Sequence, residues 1–101
     1  MKLLRTPRQI EEGLVHGPRT AAEIEHLYAT RAAFVERLSM APSVTPEDLA
    51  DLDRLGRFKV ACTLWSRCTE ESRAALLDDG HHSVRSAAKC ALIDTGSAHI
   101  H

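Results

Sequence analysis

Apolar residues recur along most of this chain at intervals of three and four positions, the spacing that gathers them on one face of an α-helix. The stretch from 21 to 39 shows the pattern most fully, with an apolar stripe of Ile24, Leu27, Tyr28, Phe34, Val35 and Leu38. No segment alternates apolar and polar residues with a period of two, so a β-sheet is not expected. The pattern predicts an all-α fold.

Capping residues mark where the helices begin. Thr6, Thr20 and Thr45 each stand three positions before a side-chain hydrogen-bond acceptor, and at Thr6 and Thr20 the residues Gln9 and Glu23 are expected to complete a capping box. Thr69 and Ser83 are simpler caps. The glycines expected to end helices are Gly17, Gly80 and Gly96. These residues predict a compact bundle of about five helices in a single domain of residues 1–101, over 7–16, 21–39, 46–67, 70–79 and 84–94.

The helix expected over 46–67 carries apolar residues on two opposite sides. One side holds Leu49, Leu52, Val60 and Leu64; the other holds Leu55, Phe58, Cys62 and Trp65. A helix that is apolar on two sides normally lies between neighbours, so this helix is expected at the centre, with Trp65 and Phe58 in the core. Gly56 either bends the helix or divides it into two shorter ones.

Composition and charge narrow the function classes. The 13 basic and 14 acidic residues leave a formal charge of −1, which gives non-specific nucleic-acid binding no overall support. Three cysteines without a CxxC motif do not indicate a disulfide framework. The first residues lack the apolar run of a secretory leader, and no later segment is apolar enough to span a membrane. A cytoplasmic protein is expected.

The stretch from Leu76 to Leu92, LLDDGHHSVRSAAKCAL, indicates two helices joined by a tight acidic turn. It resembles a HEAT-type helical repeat, in which an acidic turn leads into a second helix that begins Val-Arg and continues with paired alanines and a leucine. The resemblance covers residues about 69–94, and a degenerate copy is proposed 27 positions earlier, at 57–61.

The resemblance implies structural roles for several residues of this hairpin. Asp79, or its neighbour Asp78, would contact Arg85 and pin the turn. Val84 and Ala88 would pack closely against a neighbouring helix. A compact HEAT-like bundle is expected rather than an extended solenoid, since the chain has room for only two such units.

No constellation for catalysis or metal binding is apparent. His81 and His82 are neighbours in a turn and point in different directions. Cys62 and Cys68 lie roughly 240° apart around a helix and cannot share a metal ion, so Cys62 is expected to be a small core residue. No nucleophile, base and orienting group are brought together by the pattern. No enzyme activity, metal or cofactor is therefore expected.

The function indicated by these observations is that of a small non-catalytic protein-interaction module, an adaptor, inhibitor or regulator. It would present helix faces and the 78–82 turn to another protein. The residues predicted to bind the partner are His81, His82, Arg85, Lys89 and Arg73. The alternative interpretation of the same residues is a solvated corner between two helices. A homodimer is left open, because the end of such a stack leaves an apolar helix face uncovered.

A second hypothesis is DNA binding through residues 20–38, which resemble a degenerate helix-turn-helix. The expected phosphate contacts are Arg31, Arg37, Arg54, Arg57 and Lys59. The small residue expected after Ile24 is Glu25, however, and the glycine expected in the turn is Ala29. One continuous helix is therefore the preferred interpretation of this segment.

Overall fold

The computed structural model describes residues 5–17 and 19–98. Within these residues the chain forms six α-helices and one 3₁₀ turn, and its strand-like pairing is limited to an isolated bridge between Val44 and Cys68. The helices are α1 (Pro7–His16), α2 (Ala21–Met40), α3 (Pro46–Asp51), α4 (Arg54–Thr63), α5 (Glu70–Leu77) and α6 (His82–Ala98), and the 3₁₀ turn is Trp65–Arg67. The all-α prediction is confirmed.

Most helices begin at the predicted threonines. Thr6 and Gln9 form a capping box, with the Thr6 N–H donating to Gln9 Oε1 at 2.9 Å and the Gln9 N–H donating to Thr6 Oγ1 at 3.2 Å. Thr45 and Asp48 form a second box. Thr20 accepts the Glu23 N–H, but the Glu23 side chain does not complete the expected capping box, and Thr69 likewise accepts a single backbone N–H, that of Ser72. Local hydrogen bonds therefore set these starts, since each one satisfies an N–H that the helix leaves open.

The single long helix predicted over 46–67 is wrong. The chain leaves the helix after Asp51 and begins another at Arg54, because Asp53 caps α4 by accepting the Gly56 N–H on Oδ1 at 3.1 Å. Gly56 thus lies in the first turn of α4 and not at the break. A Cβ atom there would lie 2.8 Å from Asp53 Oδ1, so glycine leaves room for the cap.

The last helix is longer than predicted. α6 begins at His82, so Ser83 lies within its first turn and is not the cap. The helix also passes through Gly96 and continues to Ala98, so this glycine does not end it. A glycine in a helix destabilises it by about 1 kcal/mol but does not force the helix to end. The presence of Gly96 alone therefore predicted the wrong C-terminal end for α6.

The helices stack around α4. α6 packs along both α4 and α5, while α1 packs against α2 and α3. Arg54 Nη1 lies 3.1 Å from His81 Nε2, so the start of α4 lies beside the turn that precedes α6. After the turn at 78–81, α6 packs back along α5, so the expected C-terminal hairpin is present.

The main core lies between α2, α3, α4, α5 and α6. It contains Trp65, Val84 and Ala88, as predicted, and Phe58 packs against it while partly exposed. A smaller core joins α1 to α2 through Ile10, Leu14 and Leu27.

The prediction of Cys62 as a core residue is wrong. Cys62 is exposed and Cys68 is buried, because α4 ends at Thr63 and the 3₁₀ turn then directs the chain inward. The Cys68 thiol donates to the Leu64 carbonyl at 3.4 Å. Burial raises the pKa of Cys68 to about 11, although the charge of Arg73 opposes the increase, so this thiol stays protonated at neutral pH.

An arginine–aspartate ion pair occurs twice along the stack of helices. Arg31 on α2 binds Asp53 at the start of α4, with Nη2 2.7 Å from Oδ2. Arg57 on α4 binds Asp79 before α6, with Nε 2.7 Å from Oδ2. Each arginine precedes its aspartate by 22 positions, and the second pair follows the first by 26. The same contact therefore joins α2 to the start of α4 and α4 to the start of α6.

Candidate functional site

Asp79 anchors the turn between α5 and α6. Its carboxylate accepts Arg57 Nε at 2.7 Å and Nη2 at 3.3 Å, and it also accepts the His81 N–H at 2.9 Å. Burial by itself raises the pKa of the Asp79 carboxyl, but the hydrogen bonds from Arg57 and His81 outweigh it and leave the pKa below its ordinary 3.8. The ionised carboxylate therefore fixes the turn on α4.

The predicted contact between the Asp79 carboxylate and Arg85 is wrong, because a different arginine binds this carboxylate. Arg57 reaches this carboxylate from α4, whereas Arg85 donates through Nη1 to the Asp79 backbone carbonyl at 2.6 Å. Asp78 is exposed and does not replace it. Arg85 still pins the turn, but through the main chain.

His81 lies in the turn with both ring nitrogens in contact. Nε2 is 3.1 Å from Arg54 Nη1, and Nδ1 is 2.8 Å from Ser83 Oγ. A guanidinium can only donate, so Nε2 must accept from Arg54, and the Ser83 N–H also lies 3.2 Å from Nδ1. This arrangement requires the neutral imidazole.

The surroundings of His81 also favour its neutral form. Partial burial lowers the pKa of His81, and the positive charges of Arg54, His82 and Arg85 lower it further. The carboxylate of Asp79 acts in the opposite direction without reversing the result.

The remaining residues predicted to bind a partner do not all lie together. His82 is exposed and its ring stacks on that of His81, with centroids 4.8 Å apart. Lys89 is exposed two turns further along α6. Arg73 belongs elsewhere: Nε donates to the Trp65 carbonyl at 3.0 Å and the guanidinium lies 5.5 Å from the Trp65 ring centroid. Arg73 therefore holds the 3₁₀ turn and does not join the 78–82 turn.

Arg85 occupies in α6 the place that Arg57 occupies in α4, since each is the fourth residue of its helix. Both donate through Nη1 to a carbonyl just before the helix, Arg57 to Leu52 at 3.0 Å and Arg85 to Asp79 at 2.6 Å. Arg57 has a carboxylate partner in addition. Arg85 has none among the described residues.

Arg85, which is partly buried, begins a stripe along α6 whose other members are exposed. Positions i, i+4, i+7 and i+8 share one face of a helix, and here they are Arg85, Lys89, Leu92 and Ile93. Leu92 is 49% exposed and Ile93 is 64% exposed. We call these four residues the α6 stripe. It combines two cations with two large apolar side chains.

A separate groove of about 710 Å³ lies among α1, α2, α4 and the turn. Its lining includes Val15, Tyr28 and Leu55, all exposed, together with Gly80 and His81. Beneath it, Arg31 and Asp53 form the buried ion pair. The Arg31 guanidinium also lies 5.1 Å from the Tyr28 ring centroid, so the wall of the groove is held in place from below.

The preferred interpretation of residues 20–38 as one continuous helix is confirmed by α2, Ala21–Met40, so the degenerate helix-turn-helix of the DNA-binding hypothesis does not form. Two of the predicted phosphate contacts are also engaged within the protein, since Arg31 is paired with Asp53 and Arg57 with Asp79. The position of Arg31 within the apolar stripe of α2, four residues after Leu27, could have indicated that its side chain points inward.

No protein-family model, curated protein sequence or solved structure matches the chain. The HEAT-type resemblance therefore stays a prediction. Within the described part of the chain, no three His, Cys, Asp or Glu side chains are grouped so as to hold a metal ion. The described helices also include none with the length and apolar content needed to cross a bilayer.

Proposed function

We propose that this protein is a small non-catalytic protein-interaction module that docks a helical surface of another protein on the α6 stripe. The observation that carries the proposal is Arg85. Arg31 and Arg57 each bind an aspartate at the start of a neighbouring helix, whereas Arg85 lacks a carboxylate among the described residues. The partner would supply that carboxylate from a helix start placed over Arg85.

The geometry of Arg85 suits this role. Its Nη1 bond to the Asp79 carbonyl holds the guanidinium in one orientation before any partner arrives. Binding then costs less side-chain entropy than it would for a freely rotating arginine. A hydrogen bond to a charged group contributes roughly 1.5–3 kcal/mol, and a two-point contact with a carboxylate also fixes direction.

The two apolar residues of the α6 stripe also support the proposal that this face of α6 binds the partner. The outer helix of a helical stack usually presents polar residues, because no further unit covers it. Leu92 and Ile93 are instead about half exposed or more. Covering the exposed part of each side chain would contribute roughly 1 kcal/mol. The partner surface that fits is therefore apolar, with an acidic residue at the end that meets Arg85.

The test is affinity capture from a cell lysate, with nuclease present and bound proteins read by mass spectrometry. The stripe variant is Leu92→Glu with Ile93→Glu. Its control is Val15→Glu with Met40→Glu, which adds the same two charges at side chains that are 63% and 73% exposed and lie off the stripe. We expect a protein that wild type and control retain and that the stripe variant loses by at least about tenfold, or roughly 1.4 kcal/mol.

Several results would overturn the proposal. Loss in the control and not in the stripe variant would move the contact to the other surfaces of the protein. Capture that disappears with nuclease would favour nucleic-acid binding. Recovery of a second copy of this chain alone would make the stripe a dimer interface.

A further inference from the structure

The groove beside Tyr28 gathers exposed apolar side chains that the proposed protein contact does not use. Val15 of α1, Tyr28 of α2 and Leu55 of α4 are all exposed, and all three line this groove. Apolar surface from three helices therefore faces one concavity. Its volume of about 710 Å³ lies within the roughly 300–1,000 Å³ that is usual for sites of small organic ligands.

Contacts beneath the groove hold its apolar wall in place. Leu14 and Leu27 line it from the small core that joins α1 to α2. The Arg31 guanidinium lies 5.1 Å from the Tyr28 ring centroid and is itself paired with the buried Asp53. A wall fixed in this way is formed before a ligand arrives, so binding costs little in ordering the protein.

Arg54 adds a cation to the same groove. Its Nη1 lies 3.1 Å from Nε2 of His81, which also lines the groove. A guanidinium only donates, so its acceptor here is a neutral imidazole and not a carboxylate. Among the described residues Arg54 forms no ion pair, whereas Arg31 and Arg57, the other lining arginines of α2 and α4, are each paired with an aspartate.

The carboxylates that line the groove do not neutralise the Arg54 side chain. Glu11 accepts the backbone N–H of Arg54, with Oε1 at 3.2 Å and Oε2 at 3.4 Å, so it binds the main chain. Glu12 and Arg19 add one charge of each sign to the lining. An anionic group on the Arg54 guanidinium would gain a bond between two charged groups, which is stronger than the present bond to a neutral ring.

We propose that this groove binds a small organic acid, with its carboxylate on the Arg54 guanidinium beside His81 and its apolar body against Tyr28 and Leu55. The carboxylate replaces the imidazole as the acceptor of the Arg54 bond, and binding involves no covalent step. The apolar body covers side chains that water now contacts, which favours binding in proportion to the area covered. The ligand class is an apolar monocarboxylate.

The experiment is a titration of the full chain with octanoate, followed through its NMR spectrum and compared with octan-1-ol, which has the same chain length without the charge. We expect both to shift signals of groove residues, with octanoate binding at least about tenfold more tightly. The His81 ring signals should shift with octanoate and not with the alcohol, because the carboxylate is placed beside that ring.

Two variants separate the charged contact from the apolar one. Arg54→Met should weaken octanoate binding by at least about tenfold and leave octan-1-ol unchanged. Its matched control is Lys59→Met, which removes another exposed cation of α4 that does not line the groove. Tyr28→Ala should weaken both probes, whereas Met40→Ala, at an exposed apolar residue outside the groove, should weaken neither.

The proposal is overturned if octan-1-ol binds as tightly as octanoate, or if Arg54→Met binds octanoate as tightly as wild type. It is equally overturned if octanoate at millimolar concentration shifts no groove residue, or shifts only residues of the α6 stripe. None of these results depends on the partner of the α6 stripe, so this test and the capture experiment fail independently.

Discussion

Asp53 makes two interactions at the start of α4. Its Oδ1 caps the helix through the Gly56 N–H, and its Oδ2 accepts both Nε and Nη2 of Arg31, at 2.9 and 2.7 Å. The Asp53 side chain is fully buried, and that of Arg31 is 9% exposed. Because water does not reach this ion pair, each buried charge relies on the opposite charge of its partner for compensation.

Replacing Asp53 with alanine should leave the Arg31 guanidinium buried without a counter-charge. We expect Asp53→Ala to lower the free energy of unfolding by about 3–5 kcal/mol, measured by urea denaturation. The control is Asp51→Ala, which removes an exposed carboxylate two residues away and should change stability by less than about 0.5 kcal/mol. Equal small losses in both variants would show that the pair is not buried as described.

His81 should titrate below 6.5, because burial and then the charge of Arg54 disfavour its protonated form. Its contribution to stability is complete above pH 6.5 and is lost as the pH falls through the lower folded pKa. Histidine NMR shifts followed against pH measure this directly. Arg54→Met should raise the pKa of His81, whereas Lys89→Met should leave it unchanged. A value unaffected by Arg54→Met would exclude the contact between their side chains.

At the scale of helices and turns, Arg57 and Arg85 have matching positions but different partners. Arg57→Gln removes hydrogen bonds to the Asp79 carboxylate and should destabilise the protein by roughly 1.5–3 kcal/mol. Arg85→Gln removes a bond to a neutral carbonyl and should cost roughly 0.5–1.5 kcal/mol. Urea unfolding of both variants measures which substitution lowers the free energy of unfolding more. A larger loss for Arg85→Gln would mean that it holds a carboxylate after all.

The same turn should respond to acid. Because the folded pKa of Asp79 lies below 3.8, its stabilising effect is present above that pH and is lost as the pH falls through the folded value. In Arg57→Gln this part of the acid response should weaken, since the hydrogen bonds that lower the pKa are gone.

Helix starts could be predicted from the sequence because capping is local. Thr6 and Gln9, or Thr45 and Asp48, lie three residues apart and need no other part of the protein. The break before α4 could have been predicted in the same way, from Asp53 three residues before Gly56. The continuous apolar pattern across 46–67 concealed it, because both halves of that segment face the same core.

The ion pairs and the site could not be predicted to the same extent. Arg31 and Asp53 are 22 residues apart, so their contact depends on how α2 packs against α4. Exposure of Lys89 follows from helical spacing and could be predicted. The lack of a carboxylate partner for Arg85 among the described residues could not be predicted, because it becomes visible only when Arg85 is compared with Arg57 in the folded chain. Arg73 was wrongly predicted to lie with the 78–82 turn, because its contact with Trp65 is not visible in the sequence.

At the scale of the whole molecule, the helices form a short stack in which one arginine–aspartate contact is repeated, and a third arginine, Arg85, has no aspartate partner among the described residues. The α6 stripe around that third arginine places two exposed apolar residues, Leu92 and Ile93, beside two cations. This combination is the physical basis for proposing a protein-binding module and for placing its contact on α6 rather than in the groove beside Tyr28.

Site-specific photo-crosslinking in cells tests this claim most directly. A benzophenone side chain would replace Ile93 in the stripe or, as control, Met40, which is 73% exposed at the end of α2. The account predicts one protein adduct from position 93 that is absent from position 40 and that Arg85→Gln reduces. The same adducts from both positions, or none from position 93, would contradict it.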